Sequence, residues 1–194
     1  RQLLYNRGVS GVAEAELYLS AGGSLFDPFR LKDMGKTVER LMRAVNTGEP
    51  IAVYGDYDVD GVTATALMVQ VLSRLGAQVS PYIPDRFEEG YGVNNGALEN
   101  LHQQGVRVIL TVDCGIRSPA EADFARSLGV DLIICDHHEP QGRLPEAFAI
   151  ICPKQQDDLY PEKNLAGVGL AYKIAEALLT VVPQTGLAAE DFLD

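Results

Sequence analysis

The sequence predicts a doubly wound α/β fold, a mainly parallel sheet with helices on both faces, preceded by short N-terminal helices. Three observations carry that prediction. From Ile51 onward, short apolar runs alternate with amphipathic stretches of helical length. Two of the runs, Val108-Ile109-Leu110-Thr111-Val112 and Leu132-Ile133-Ile134-Cys135, are apolar at odd and even positions alike, the pattern of a strand covered on both sides. Three runs end in acidic residues, at the carboxyl ends of strands where a parallel sheet places its crevice.

In chain order, residues 1 to 20 read as short helices, with Ser10 as a candidate N-cap before Val12, Ala15, Leu17 and Leu19. Asp27-Pro28-Phe29 makes a turn, after which Leu31, Met34, Val38, Leu41, Met42 and Val45 recur at helical spacing until Asn46-Thr47-Gly48 stops the helix. Strands are expected over 51–54, 79–83, 106–112, 131–135 and 147–151. Helices are expected over 62–75, ending at Gly76, and over 95–104. Ser118, Pro119 and Glu121 form a capping-box pattern that opens a further helix. The stretch 140–161 reads as irregular, and 164–182 as a long helix on the core. Two units are expected: residues 1–48 as a helical lead-in packed on the core, and 49–194 as the α/β domain.

With 194 residues, 46% hydrophobic and 22% charged, the chain can bury one sizeable core. No run approaches the roughly 20 apolar residues of a membrane span, so no membrane partner is expected. Cys114, Cys135 and Cys152 contain no CxxC pair, which excludes a disulfide framework or zinc ribbon and fits a reducing cytoplasm. A net charge of -11 argues against a stand-alone nucleic-acid binder with a basic patch, although acids that hold cations would not count against it. The start, Arg1-Gln2-Leu3-Leu4-Tyr5, has neither an initiator Met nor a signal-peptide core and reads as a cut edge.

The chemistry collects at three strand ends: Asp56-Tyr57-Asp58-Val59-Asp60-Gly61, Asp113, and Asp136-His137-His138. In an extended segment Asp56, Asp58 and Asp60 would share one face at roughly 6 to 7 Å intervals, and such mutually repelling carboxylates call for a divalent cation. The three segments can converge on one crevice. Carboxylates with imidazole suit manganese, magnesium or iron, and a shared carboxylate such as Asp113 could bridge two ions about 3.5 to 4 Å apart. Adjacent imidazoles cannot point the same way from an extended backbone, so one of His137 and His138 is expected to be a ligand and the other a supporting or substrate-facing group. Taken singly, a strand-end Asp is more often a turn residue, His102 reads as surface, and Cys114 and Cys135 read as packing.

Two competing motifs fail on the same residues. The Asp56-x-Asp58-x-Asp60-Gly61 run opens like an EF-hand loop, but the twelfth position, which needs a bidentate Glu, is Leu67, and a strand precedes the run. A haloacid-dehalogenase-type nucleophile at Asp58 leaves Asp56 and the histidine pair unexplained and lacks a late acidic motif.

The sequence resembles the DHH phosphoesterase superfamily, and within it the branch of single-stranded-DNA exonucleases. The resemblance is carried by Leu4-Tyr5-Asn6-Arg7-Gly8, Asp27-Pro28-Phe29, Tyr54-Gly55-Asp56-Tyr57-Asp58-Val59-Asp60-Gly61, Tyr82-Ile83-Pro84-Asp85-Arg86-Phe87-Glu88-Glu89-Gly90-Tyr91-Gly92, Thr111-Val112-Asp113-Cys114-Gly115, Asp136-His137-His138 and Asn164-Leu165-Ala166-Gly167-Val168-Gly169. It implies a 5′ to 3′ exonuclease of DNA repair and recombination that hydrolyses phosphodiester bonds with two Mn²⁺ or Mg²⁺ ions. Asp56, Asp58, Asp60, Asp113 and His137 would hold the metals, with Asp136 and His138 supporting them or facing substrate. Arg86 would contact a substrate phosphate. Gly167 and Gly169 would lie at the edge of the site, either offering N–H groups to phosphate or allowing close packing.

The resemblance also implies a fourth Asp-containing motif and a second domain after the Leu165–Gly169 segment. Neither Asp191 nor Asp194 has that motif's context, so an incomplete metal site and little processive activity are expected. Single-stranded DNA is the expected partner of a monomer, with a single-stranded-DNA-binding protein or helicase as further partners by family analogy. The alternatives are a DHH phosphodiesterase acting on short RNA, cyclic dinucleotides or pyrophosphate, and an inert scaffold that keeps the fold.

Overall fold

A computed structural model describes residues 2–19, 26–87 and 89–192. Glu88 and Asp194, and the side chain of Leu17, lie outside the described residues. Five strands form one sheet: β1 (Ile51–Gly55), β2 (Val79–Tyr82), β3 (Val108–Val112), β4 (Asp131–Cys135) and β5 (Ala149–Ile151). Their order is β2-β1-β3-β4-β5, and every neighbouring pair is parallel. Since the chain leaves β1 toward β2 on one side and returns to β3 on the other, a crevice opens at the carboxyl ends of β1 and β3.

The helices are α1 (Gln2–Tyr5), α2 (Val12–Leu19), α3 (Met34–Thr47), α4 (Val59–Arg74), α5 (Asn95–Gln103), α6 (Pro119–Ser127) and α7 (Gly167–Val181). Val53, Leu110 and Ile133 point from the sheet into a core shared with α3, α4 and α7. Their neighbours Ala52, Ile109 and Ile134 point into a second core with α5 and α6. The two-sided apolar runs of β3 and β4 are the sequence image of this arrangement: every residue of β3 is buried.

Several boundaries differ from the sequence expectation. The helix expected from Val62 begins at Val59, because the side chain of Asp58 caps it by accepting from Gly61 N at 3.0 Å. The long final helix is shorter, starting at Gly167 rather than at residue 164. Ser118 precedes α6 but its hydroxyl makes no capping bond, so the capping-box pattern there is not realised. The Asp27-Pro28-Phe29 turn is a 3₁₀ turn over Pro28–Arg30, capped by Asp27, which accepts from Phe29 N at 2.9 Å.

The segment before the sheet is tied on by charge as well as by apolar packing. Arg40 of α3 is 3% exposed and donates from Nε to Asp131 Oδ2, at the start of β4, and from an Nη to Glu49 Oε2, both at 2.5 Å. Asp33, with a left-handed backbone (φ 61°), accepts from Ile150 N of the edge strand β5 at 3.2 Å. Among the described residues no helix is long and apolar enough to cross a membrane.

Candidate metal centre

The site begins where β1 turns into α4. Gly55 ends the strand, and the chain doubles back so tightly that a Cβ on Gly61 would stand 2.5 Å from the carbonyl oxygen of Asp56. A residue without a side chain is required there. The turn changes the expected geometry: Asp56, Asp58 and Asp60 do not alternate along one extended strand. Asp56 follows the strand, Asp58 is the N-cap of α4, and Asp60 lies in its first turn. Their carboxylates consequently take three different environments.

Asp60 bridges two elements. Its oxygens accept from Gly167 N and Val168 N, each at 2.7 Å, so the carboxylate sits on the N-terminus of α7 where the helix dipole favours a negative charge. These two N–H groups are therefore occupied by protein. Gly167 is needed for a second reason, since a Cβ there would come within 2.8 Å of Asp113 Cβ and Oδ1. At Gly169 an added Cβ would meet only Leu165 at 3.5 Å, an ordinary contact. Of the two readings open for this glycine pair, close packing describes Gly167.

Asp113 follows β3 in a left-handed conformation (φ 63°), rare for a residue with a side chain and characteristic of constrained functional positions. Its N–H donates to Cys135 O at 2.9 Å, which ties the ends of β3 and β4 together. The carboxyl group is 2% exposed; burial, and then the charges of Asp60 and Asp58, push its pKa up to about 8. Asp56, 3% exposed, is raised as well, chiefly by burial.

His137 and His138 take different partners, although their rings lie side by side with centroids 4.6 Å apart. His137 Nε2 lies 3.1 Å from Asp113 Oδ1 and 3.6 Å from Asp60 Oδ2. It is off the direction of a hydrogen bond, for Asp113 Oδ1 has no hydrogen-bond partner. His138 Nδ1 contacts Asp136 Oδ1 at 2.7 Å, and the same oxygen accepts from His138 N at 3.1 Å. Asp136 Oδ2 accepts from Ile116 N at 2.9 Å. Burial raises the Asp136 pKa, but the bonds from His138 and Ile116 outweigh it and hold the carboxyl below its usual range. The bond to Asp136 in turn raises the pKa of His138. An ionised Asp136 fixes the proton on Nδ1 of His138 and leaves Nε2 as the ring nitrogen that Asp136 does not engage.

The donor set fits divalent cations. Asp56, Asp58 and Asp113 form one group whose ligand atoms all lie within 4.8 Å of one another, and Asp113, His137 and His138 form another. Asp113 belongs to both. Buried oxygens of Asp56 and Asp113 without a hydrogen-bond donor are costly unless a cation or water satisfies them. Asp60 is outside both groups.

Arg86 is exposed, on the segment between β2 and α5, with its guanidinium 5.2 Å above the ring of Tyr57. Tyr57 meets Tyr91 edge to face at 6.3 Å, and Tyr91 meets His138 in the same way at 6.3 Å. Arg86 is thus linked to the metal centre through a wall of rings and makes no direct contact with the acids in the described residues. Glu89 anchors that segment: its carboxylate accepts from Tyr82 Oη at 2.5 Å, from Asp85 N at 2.8 Å and from Asn94 Nδ2 at 3.3 Å. Sequence reasoning missed Tyr57, Tyr91, Glu89 and Gly61. All four lie within the motifs that carry the family resemblance, and Gly61 adds a local signal, a glycine directly after the acidic run.

Comparison with known proteins gives one consistent result. The model of the DHH family, N-terminal domain, matches residues 50–191. The single-stranded-DNA-specific exonuclease RecJ of Bacillus subtilis is 47% identical over 93% of this chain, which covers 23% of that protein. Among solved structures, exonuclease RecJ bound to manganese superimposes with a TM-score of 0.72 at 38% identity, covering 78% of this chain and 38% of its own. RecJ of Thermus thermophilus in complex with Mg²⁺ gives a TM-score of 0.58 at 27% identity, covering 93% of this chain and 21% of its own. The chain spans about a quarter to a third of the length of the curated relatives that it matches. With the family match running from the first strand of the sheet past its last helix, the chain belongs to the DHH family.

Proposed function

We propose that this chain carries the catalytic DHH domain of a metal-dependent exonuclease that hydrolyses phosphodiester bonds of single-stranded DNA, 5′ to 3′, in DNA repair and recombination. The observation that carries the reading is the pair of buried, unpartnered carboxylate oxygens on Asp56 and Asp113, set beside His137 at the crevice between β1 and β3. Asp56, Asp58, Asp113 and His137 would hold two Mn²⁺ or Mg²⁺ ions. Bound there, such ions supply an activated water near neutral pH and offset the charge that develops on the departing oxygen.

The remaining residues position and bind. Asp60 locks the start of α7 to the start of α4, which holds Asp113 against Gly167. Asp136 orients His138 so that Nε2 faces substrate. Arg86, stacked on Tyr57, would meet a backbone phosphate outside the metal centre. The division into a helical lead-in, 1–48, and a catalytic domain, 49–194, belongs to the same proposal. So does action in the cytoplasm as a monomer, alongside a single-stranded-DNA-binding protein or helicase; three free, buried thiols support a reducing compartment.

The test measures manganese binding by calorimetry, and then cleavage of 5′-phosphorylated single-stranded DNA, RNA oligomers and pyrophosphate on the same sample. Manganese should bind and DNA should be the preferred substrate, with both properties lost in Asp113→Ala. Pyrophosphate hydrolysed as well as DNA would sink the assignment, and metal binding indifferent to Asp113 would point to an inert scaffold.

A further inference from the structure

A cavity of about 220 Å³ adjoins the metal centre on the side of α6, lined by Tyr91, Gly115, Arg117, Ser118, Asp136 and His138. None of the family motifs quoted above includes Arg117 or Ser118. Both oxygens of the acid in this wall, Asp136, are taken by the N–H groups of Ile116 and His138 and by the His138 ring, so the carboxylate offers the cavity no free acceptor. What the wall presents is the imidazole of His138, the hydroxyl of Ser118 and the guanidinium of Arg117.

Arg117 is held at this mouth in a particular way. Its Nε donates to the carbonyl oxygen of Glu139 at 2.9 Å, which fixes the plane of the guanidinium, and among the described residues it enters no ion pair. The nearby Glu139 carboxylate is turned to Lys154, 3.5 Å from its Nζ. The charge of Arg117 is close enough to His138 to oppose protonation of that imidazole. Arg117 lines the cavity, and its two terminal nitrogens, which make no hydrogen bond among the described residues, keep the fork geometry that suits phosphate oxygens. Ser118 contributes a hydroxyl that the helix does not use for capping.

We propose that this cavity is a second phosphate seat, which receives the backbone phosphate one nucleotide away from the bond being hydrolysed and is held by Arg117 with Ser118 and His138. The proposal rests on the nuclease reading above. A strand seated at two phosphates, one at the metals and one at Arg117, is placed in register for cleavage without any base being read, as a sequence-tolerant nuclease requires. Arg117 is then a specificity-determining residue that separates a nucleotide chain from a single phosphate ester or pyrophosphate.

The test compares the dinucleotides TpT, pTpT and TpTp, binding to the protein in the presence of manganese, by calorimetry or NMR titration. At least one of the two ligands with an added phosphate should bind about tenfold more tightly than TpT. Arg117→Ala should abolish most of that gain while leaving the affinities for TpT and for manganese unchanged; Arg117→Lys, which keeps the charge but loses the fork, should restore it in part. Arg117 is exposed, so the variants should fold, and their melting temperatures check it. Equal binding of all three dinucleotides, or an Arg117→Ala variant that keeps the gain, would overturn the second seat and leave the nuclease reading standing. Absence of manganese-dependent binding of any of them would overturn both.

Discussion

Asp113 concentrates the chemistry of this chain in one residue. It is nearly fully buried, belongs to both groups of convergent ligands, adopts a left-handed backbone and has a pKa pushed up to about 8. The pKa has a consequence for stability. Without metal, between the unfolded value near 4 and about 8, the unfolded chain has released this proton and the folded chain still holds it, so stability falls as pH rises through that window. The slope from one such group is at most about 1.4 kcal/mol per pH unit. Melting temperatures of EDTA-treated protein from pH 4.5 to 8 should therefore fall more steeply for wild type than for Asp113→Asn, and saturating Mn²⁺ should reverse the order at the upper end. Parallel curves for the two proteins would remove Asp113 as the proton-holding group. The residue itself was legible in Thr-Val-Asp-Cys-Gly as an acid at a strand end. Its burial was not, because that is set by α7, whose first glycine lies 54 positions later in the chain.

At the scale of elements, the junction of α4 and α7 holds the site together. Asp60 closes it from one side with two bonds of 2.7 Å, and Gly167 allows the approach of Asp113 from the other. Gly167→Ala should destabilise the protein by about 1–3 kcal/mol, the usual cost of overpacking, and should weaken manganese binding by displacing Asp113. Gly169→Ala, with open space beyond an ordinary contact, should change melting temperature little and leave metal affinity alone. Denaturant titration and calorimetry on the two variants check the contrast, and equal losses would mean that helix propensity rather than the Asp113 contact explains Gly167. Here the sequence reading was ambiguous for a physical reason: a glycine that faces a ligand and a glycine that faces a carboxylate look alike until the neighbour is known. The three alternating aspartates misled for a related reason. Their period matches a strand, but the capping bond from Asp58 to Gly61 starts a helix inside the motif.

At the scale of the whole molecule, the parallel sheet brings three sites of acidic sequence, some 20 to 50 residues apart, to one crevice, and a few buried charges hold the outer layer on. Arg40 is the clearest of these. Its loss would unpair Asp131 and Glu49, both partly exposed and able to regain water, and would leave a void at the α3–sheet contact. Arg40→Ala should cost roughly 2–3 kcal/mol in urea denaturation, below the 3–5 typical of a fully buried pair, with manganese affinity unchanged. A loss of metal binding with no loss of stability would contradict a purely structural role. By itself the sequence determined the fold class, the strands that end in acids and the residue types that gather there, because periodicity and strand-end placement are local patterns with a single reading in a parallel sheet. Only the tertiary structure decided which carboxylates converge and which serve the backbone, that Asp58 caps, Asp60 staples two helices, and Asp56 and Asp113 are left with bare buried oxygens. Those roles depend on who the neighbour is across the fold, and no spacing along the chain encodes it.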